Sequence, residues 1–554
     1  MGNIERSSCN IDYYGIISVL IDEIGIKEII DARIKKYHNQ KVSTGQSVKV
    51  ILLNMLAIFM RPLYLTSEFL NDKPVDRLIN ANLTASDFTD NVLGAALDRL
   101  YDNGLEELFM AISSKMFLNY PEYVSAYLHA DTTTMTVFGQ YNTKYDENAI
   151  ELAYGYSKNH RNDLKQFIIS MVTSNTLPLF LTTLSGNTSD ATHFRDLMKQ
   201  YGNQMQDAFD SDQTFIFDSK FYCFDTIEAC SNDIIWISRV PETISSAVEL
   251  IQKAETVKMV DTSMEGYRIY ATSSDYGGIE QKWVLVSSEK AAERESKTLD
   301  RKIIKNKEQV DKDVWHLGNK EFKTKQEACD EAKKVVKSWK YHEVIGNLED
   351  RKTMDYEIIK KKVNGKKGRA KKNEKKYSIY KIKLKVRQSK IAVKQAYLKM
   401  GCFVLASNNL ELSAEEILRA YKSQHNVERG FRFLKDPMFF VDGVYLKNQN
   451  RIMAMAMIMG LALMVYSLAE LKLRSAFEIH KEVFLDQYRK PNRKPTFRRV
   501  LQTWSGIHVW YIKIEGEIVE EAVINLRPEN MQVLRLLGQS YEQIYSDKKK
   551  DGKL

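Results

Sequence analysis

Cysteine is too scarce in this chain to hold it together. The five residues, Cys9, Cys223, Cys230, Cys329 and Cys402, form neither a CxxC pair nor a dense framework, which argues against a disulfide scaffold and predicts buried thiols in a reducing compartment. No secretory leader is expected either, because the first 25 residues alternate charge and apolarity without an apolar h-region. Together these absences predict a cytoplasmic location. Long hydrophobic runs are nearly absent too. One apolar run, IMAMAMIMGLALMVYSLA, Ile452 to Ala469, extends 18 residues without a charge, the length at which a membrane span becomes a candidate. Four alanines, a glycine and a serine dilute it, so a buried core helix is expected and no membrane partner. No internal repeat is visible.

What is present describes a large globular chain. At 554 residues it exceeds one ordinary core, and a prior of about 150 residues per domain suggests three or four units. The net charge of +9 and pI near 8.9 fit an acidic partner, nucleic acid being the common one. Residues 1–122 read as a helical module, with Asp87 or Thr89 capping a helix that stops at Gly104. Residues 123–245 carry β-rich runs, among them AYLHADTTTMTVFG, TFIFDS and DIIWISRV, with SNTLP as a turn and SDATHFRDLMKQYGNQ as a helix. Strands, helix and strands again predict an α/β fold with a mixed sheet. Residues 246–400 read as an insertion of short strands and charged helices. Within it, Lys360 to Lys376 holds ten basic residues and one acid, either a solvated loop or a phosphate-contacting arm. Residues 401–480 return to an apolar strand and then helices, where Ser413 to Glu416 forms a capping-box pattern and Pro437 closes the helix that follows. Residues 481–554 form a small C-terminal unit that includes the basic stretch YRKPNRKPTFRRV.

Three acids stand out. Asp131 and Asp218 interrupt β-rich runs, where aspartate is depleted, and Glu428 is the lone acid in YKSQHNVERGFRFLKDP before its closing Asp-Pro. Each has an ordinary reading: a turn or cap for the aspartates, an i,i+4 pair with Arg432 for the glutamate. Taken together they suggest more. Tyr421, Gln424, Glu428 and Lys435 fall within an arc of about 60° if the segment is one helix. Three carboxylates gathered at a sheet edge would repel one another unless divalent cations neutralised them. Two such ions about 4 Å apart activate a nucleophile and stabilise the leaving oxygen of a phosphodiester. Magnesium suits an all-oxygen set, and Lys422, Arg429, Arg432 and Lys435 would bind the polyanion beside it.

The same segment resembles the signature helix of DDE transposases from bacterial insertion sequences, in the insertion-sequence-4-like superfamily. That motif runs Tyr, two residues, Arg, three residues, Glu, six residues, Lys, and this chain gives Tyr421, Gln424, Glu428 and Lys435 at those intervals. Gln424 replaces the usual arginine. LAYGYSKNHRNDLKQFIISMV and LSGNTSDATHF are similar to core blocks of the insertion-sequence-1634-like branch, with Asn159 and Asn162 where that branch usually has Asp and Pro. The resemblance implies an RNase H-like catalytic core interrupted by an insertion, with Asp131, Asp218 and Glu428 as the metal-binding triad for two Mg2+ ions, Mn2+ substituting. It implies double-stranded DNA as partner, both the terminal inverted repeats and the target, and a homodimer in the synaptic complex on the bacterial nucleoid. Lys158, Arg161 and Lys165 become candidate DNA contacts with Tyr421, Lys422, Gln424, Arg429, Arg432 and Lys435. Two other readings remain open: a catalytically silent DNA-binding relative, and a metal-dependent nuclease without strand transfer. His160 and His193 are expected to be structural rather than metal ligands, and Trp236, Trp283 and Trp510 to be core.

Overall fold

A computed structural model of the chain describes residues 4–57, 61–139, 141, 148–155, 163–207, 213–230, 234–346, 348, 354–356, 359–361, 377–436, 446, 448–515 and 517–549. The chain divides into two compact units: residues 1–238, 276–279 and 419–554 form the first, and residues 239–275 and 280–418 the second.

The first unit is built on a mixed sheet. Its strands are β1 (Tyr127–Val137), β2 (Lys165–Ser174), β3 (Leu177–Ser185), β4 (Thr214–Phe217) and β5 (Ile235–Val240), in the order β3-β2-β1-β4-β5. β1, β2 and β3 pair antiparallel, whereas β4 lies parallel to both β1 and β5. Asn175, at φ 55°, makes the turn between β2 and β3, where SNTLP predicts one. The β-branched and aromatic runs thus form strands as expected.

Side-chain parity sorts the two faces of this sheet. On one face Phe217 meets Phe194 of helix α2 (Asp190–Asp207) edge-on at 5.4 Å and stacks on Phe221 at 3.9 Å. On the other face, Leu181, Met171 and Asp131 form one cross-strand row through β3, β2 and β1. That row is covered by helices α1 (Leu105–Asn119), α4 (His425–Leu434) and α5 (Gln449–Ile479); α3 (Ala414–Lys422) precedes α4. Gly460 of α5 sits where a Cβ would lie 2.6 Å from Leu181 Cδ1 and 2.8 Å from Phe109 Cε2. Only a residue without a side chain lets α5 pass between α1 and the sheet.

Helix α5 contains the apolar run and is a core element: its most apolar 18-residue window is 89% buried. The front helices pack on it. Asp98 takes a two-pronged hydrogen bond from Arg451, both contacts at 2.7 Å, and Glu23 Oε2 accepts from Lys472, Tyr120 and Tyr541 at 2.6, 2.9 and 2.7 Å. One front element escapes a helical reading: Ile4–Asn10 is a strand, paired antiparallel with His508–Ile514.

The second unit has its own hydrophobic core. Strands Val260–Asp261, Tyr267–Ser274, Gln281–Ser288 and Cys402–Ser407 pair antiparallel. Helix Glu289–Asn319 packs Val310 and Leu317 against Phe322, Ala328, Trp339 and Ile382. The capping box forms as expected, with Glu416 N–H donating to Ser413 Oγ at 3.2 Å and Ser413 N–H to Glu416 Oε2 at 2.8 Å. Cys230 and Cys329 are buried, the other three cysteines partly so, and none is in a disulfide. Trp236 and Trp283 are core residues, whereas Trp510 is only half-buried on a two-sided strand.

Candidate active site

β1 and β4 bring two of the three acids together. Their parallel register matches Tyr127 with Thr214 and His129 with Ile216; continued by two residues, it sets Asp131 opposite Asp218. Both then lie on the face covered by α4 and α5. Each carboxylate is anchored by backbone: Thr132 N–H donates to Asp131 Oδ1 at 2.7 Å, and Lys220 N–H to Asp218 Oδ1 at 2.9 Å. Ser238 Oγ also holds the Asp218 carbonyl at 2.9 Å. Asp218 therefore does form the turn its residue type favours, and that turn fixes its side chain beside β1. Both aspartates are half-buried.

Glu428 arrives by helix packing. The buried stripe of α4 is Val427, Gly430, Phe431 and Leu434. A Cβ on Gly430 would lie 3.2 Å from Met171 Cε and 3.1 Å from Leu463 Cδ2, so α4 rests on the cross-strand neighbour of Asp131. Glu428 is exposed on the flank of that stripe and, among the described residues, forms no ion pair with Arg432. The i,i+4 reading is thereby removed.

The single helix expected from Ser413 to Pro437 is two helices, α3 and α4. Ser423 interrupts it: its hydroxyl hydrogen-bonds the Ala420 carbonyl at 2.7 Å and His129 Nε2 at 2.9 Å, the local competition with backbone bonding that serine introduces. Glu428 thus sits in the first turn of α4 rather than mid-helix, and Gln424 is the residue before that helix. Tyr421 and Lys422 belong to α3, so the four motif residues do not share one continuous helix. Pro437 lies outside the described residues.

The basic candidates divide. Arg432 is exposed on α4 and Lys435 half-buried just beyond it. Arg429 reaches Glu470 of α5 at 3.5 Å. Glu470 is buried and also takes Arg474 at 2.7 Å and the Phe497 N–H at 3.0 Å. Lys165 is removed from the acids: it pairs with Val137, six residues along β1 from Asp131 and about 20 Å away at strand rise, with its Nζ on the Tyr141 carbonyl at 2.8 Å. Lys158, Arg161, His160 and the basic segment from 362 to 376 lie outside the described residues. His193 is buried beside Phe194 on α2, away from the acids.

Sequence reasoning passed over His129, Ser423 and Glu470. His129 is two residues before Asp131, hence on the same strand face, and Glu470 is the acid that ends the apolar run; both positions were readable signals. Among the described residues, no three His, Cys, Asp or Glu side chains converge closely enough to hold a metal ion. The arrangement is a fixed aspartate pair with an exposed glutamate on a helix packed over the same face. Its donors are all carboxylate oxygens, the chemistry of a hard cation such as magnesium.

Residues 128–465 match the family model described as Transposase DDE domain. The match covers more than half of the chain and spans all three acids. The chain belongs to the transposase DDE domain family. The DDE transposase is accordingly a DNA-cleaving, DNA-transposing enzyme. Its residues 6–114 match a second model, described as Domain of unknown function (DUF4277). No curated protein matches the sequence significantly. Among solved structures, the transposase is similar to the piggyBac transposase synaptic complex with hairpin DNA, at 10% identity and a TM-score of 0.36, over 90% of this chain and 82% of that one.

Proposed function

We propose that this transposase, a member of the insertion-sequence-1634-like branch, binds the terminal inverted repeats of its element as a synaptic homodimer. There it cleaves and joins DNA at an RNase H-like site formed by Asp131, Asp218 and Glu428. The observation that supports this best is the register that sets Asp131 opposite Asp218 on the face where α4 presents Glu428. Asp131, Asp218 and Glu428 would be the residues that hold the divalent cations. Magnesium or manganese, when bound, supplies the positive charge that activates the attacking oxygen and stabilises the leaving one.

The chain's own residues do the rest. The backbone N–H groups of Thr132 and Lys220 fix one oxygen of each aspartate. Val427, Gly430 and Phe431 seat α4, and exposed Arg432, with Lys435 beyond it, offers charge to the phosphates of a bound duplex. The front helical module, packed on α5, is suited to grip the ends, and the reaction belongs to the cytoplasm, where the nucleoid DNA lies.

The test is cleavage of an end-bearing duplex with magnesium, then joining when target DNA is added. Asp218→Ala should abolish both while leaving duplex binding intact. Cleavage that persists in that variant overturns the site; cleavage without joining would make the protein a nuclease.

A further inference from the structure

The basic stretch near the C-terminus has no part in the site described so far. From Gln487 to Arg499 it carries six basic residues and no acid. It folds as a ribbon, Phe484–Leu485 paired with Pro491–Asn492, followed by the helix Phe497–Leu501. Its tip is a rigid turn. Asp486 Oδ1 accepts the N–H groups of Tyr488 and Lys490, both at 2.8 Å, Asp486 N–H reaches the Lys490 carbonyl at 3.0 Å, and Arg489 sits at φ 59°. Arg499 ties the turn to the helix by donating to the Leu485 and Asp486 carbonyls at 3.4 and 3.2 Å.

That rigidity presents an exposed group of side chains. Tyr488 is 74% exposed, and Arg489, Lys490, Arg493 and Lys494 are exposed with no ion pair among the described residues. Four cations without an ion-pair partner, displayed on a preorganised tip, match the charge of a phosphate backbone. An aromatic ring among them adds a surface on which a base or sugar can rest.

The ribbon is also fastened to the helix that carries Glu428. Arg498 pairs with Asp436, just past α4, at 3.5 Å, and its backbone N–H donates to Tyr466 OH at 3.2 Å. The Tyr466 ring in turn lies between Phe433 of α4, at 4.8 Å, and Phe497, at 5.4 Å. Buried Glu470 joins Arg429 to the Phe497 backbone.

We propose that the Phe484–Asn492 ribbon and the residues up to Arg498 are a clamp for the phosphate backbone of duplex DNA, holding the duplex that flanks the scissile bond in α4's reach. This rests on the transposase reading of the acid site. A two-stranded ribbon is narrow enough to lie along a groove, and its cations then replace the counterions of the phosphates they meet.

The test uses the full-length chain and a fluorescent end-bearing duplex, with affinity measured across salt concentrations. Each phosphate contact contributes about 0.9 to the slope of log affinity against log salt, so the quadruple variant R489E/K490E/R493E/K494E should lower the slope by about 3.6. The milder R493Q/K494Q should lower it by about half as much. Thermal unfolding should not move, because all four side chains are exposed. Unchanged slopes with normal wild-type cleavage overturn the clamp and leave the transposase reading standing. Unchanged slopes with a loss of self-association assign the tip to a protein partner and equally overturn the clamp. A wild-type chain that neither binds nor cuts the duplex overturns both.

Discussion

The two aspartates and the glutamate of the candidate site are held by different physics. Asp131 lies on β1 and Asp218 in the turn directly after β4, the parallel neighbour of β1, and a slip of one residue in β1 would turn the Asp131 carboxylate to the opposite face. Glu428 rides on a helix held by side-chain contacts: Gly430 on Met171 and Leu463, Ser423 on His129. Backbone hydrogen bonds hold the two aspartates, whereas the helix holds its acid only as well as it is packed. The aspartate pair is therefore the preformed half of the site, and the seating of α4 is the half open to adjustment when DNA and cations arrive.

The largest effect should come from the preformed half. Asp131→Asn and Asp218→Asn retain an Oδ1 that accepts the Thr132 or Lys220 N–H, so folding should hold. Losing the charge should cut the cleavage rate by about 10³-fold or more, roughly 4 kcal/mol of barrier. An asparagine variant that keeps a tenth of wild-type cleavage would show that the aspartate pair is not where the chemistry occurs.

Two glycines sharpen the comparison further. Gly460→Ala drives a methyl to 2.6 Å from Leu181 Cδ1 and 2.8 Å from the Phe109 ring; overpacking of that kind should lower unfolding free energy by about 1–3 kcal/mol in denaturant titrations. Gly430→Ala meets only the flexible ends of Met171 and Leu463 at 3.2 and 3.1 Å, and alanine's helix propensity returns about 1 kcal/mol. Its stability should change by less than about 1 kcal/mol, while cleavage falls as α4 lifts from the sheet. Equal stability losses in the two variants would mean that α4 is as rigidly seated as α5.

How much of this was legible in the sequence follows the same division. The strands around Asp131 and Asp218 were readable because β-branched and aromatic runs punctuated by SNTLP leave little else for the backbone to do, and the Ser413–Glu416 box was readable because both partners are local. The opposition of Asp131 and Asp218 was not, since it depends on pairing two strands 87 residues apart. The break at Ser423 was hidden for a related reason: the hydroxyl's partner, His129, is 294 residues away, and only tertiary contact makes the local competition win. The Ile4–Asn10 strand was equally hidden, because its partner is His508–Ile514 and its own pattern of exposed polar residues carries no core-facing period.

A smaller effect belongs to the α3–α4 junction. Ser423→Ala leaves His129, which is buried, without this hydroxyl partner, a loss of about 1–3 kcal/mol for a buried group. Part should appear as stability and part as slower cleavage, with duplex affinity unchanged. If the variant instead lost affinity and kept its turnover at saturation, the junction would serve DNA binding rather than the placement of Glu428.

The smallest effect tests the frame behind α4. Burial, reinforced by the nearby Glu470 carboxylate, pushes the Tyr466 phenol up to about 12. A folded value above the ordinary one of about 10 means that the neutral phenol is the native form. Its contribution is whole below pH of about 10 and disappears as pH rises through about 12. Tyr466→Phe keeps the ring between Phe433 and Phe497 but loses the oxygen that accepts the Arg498 N–H. Wild type should therefore exceed the variant by about 0.5–1.5 kcal/mol in chemical denaturation near neutral pH, and the gap should close as the phenol ionises. No gap at neutral pH would show that the hydroxyl contributes nothing to the frame, leaving α4 seated by ring packing alone.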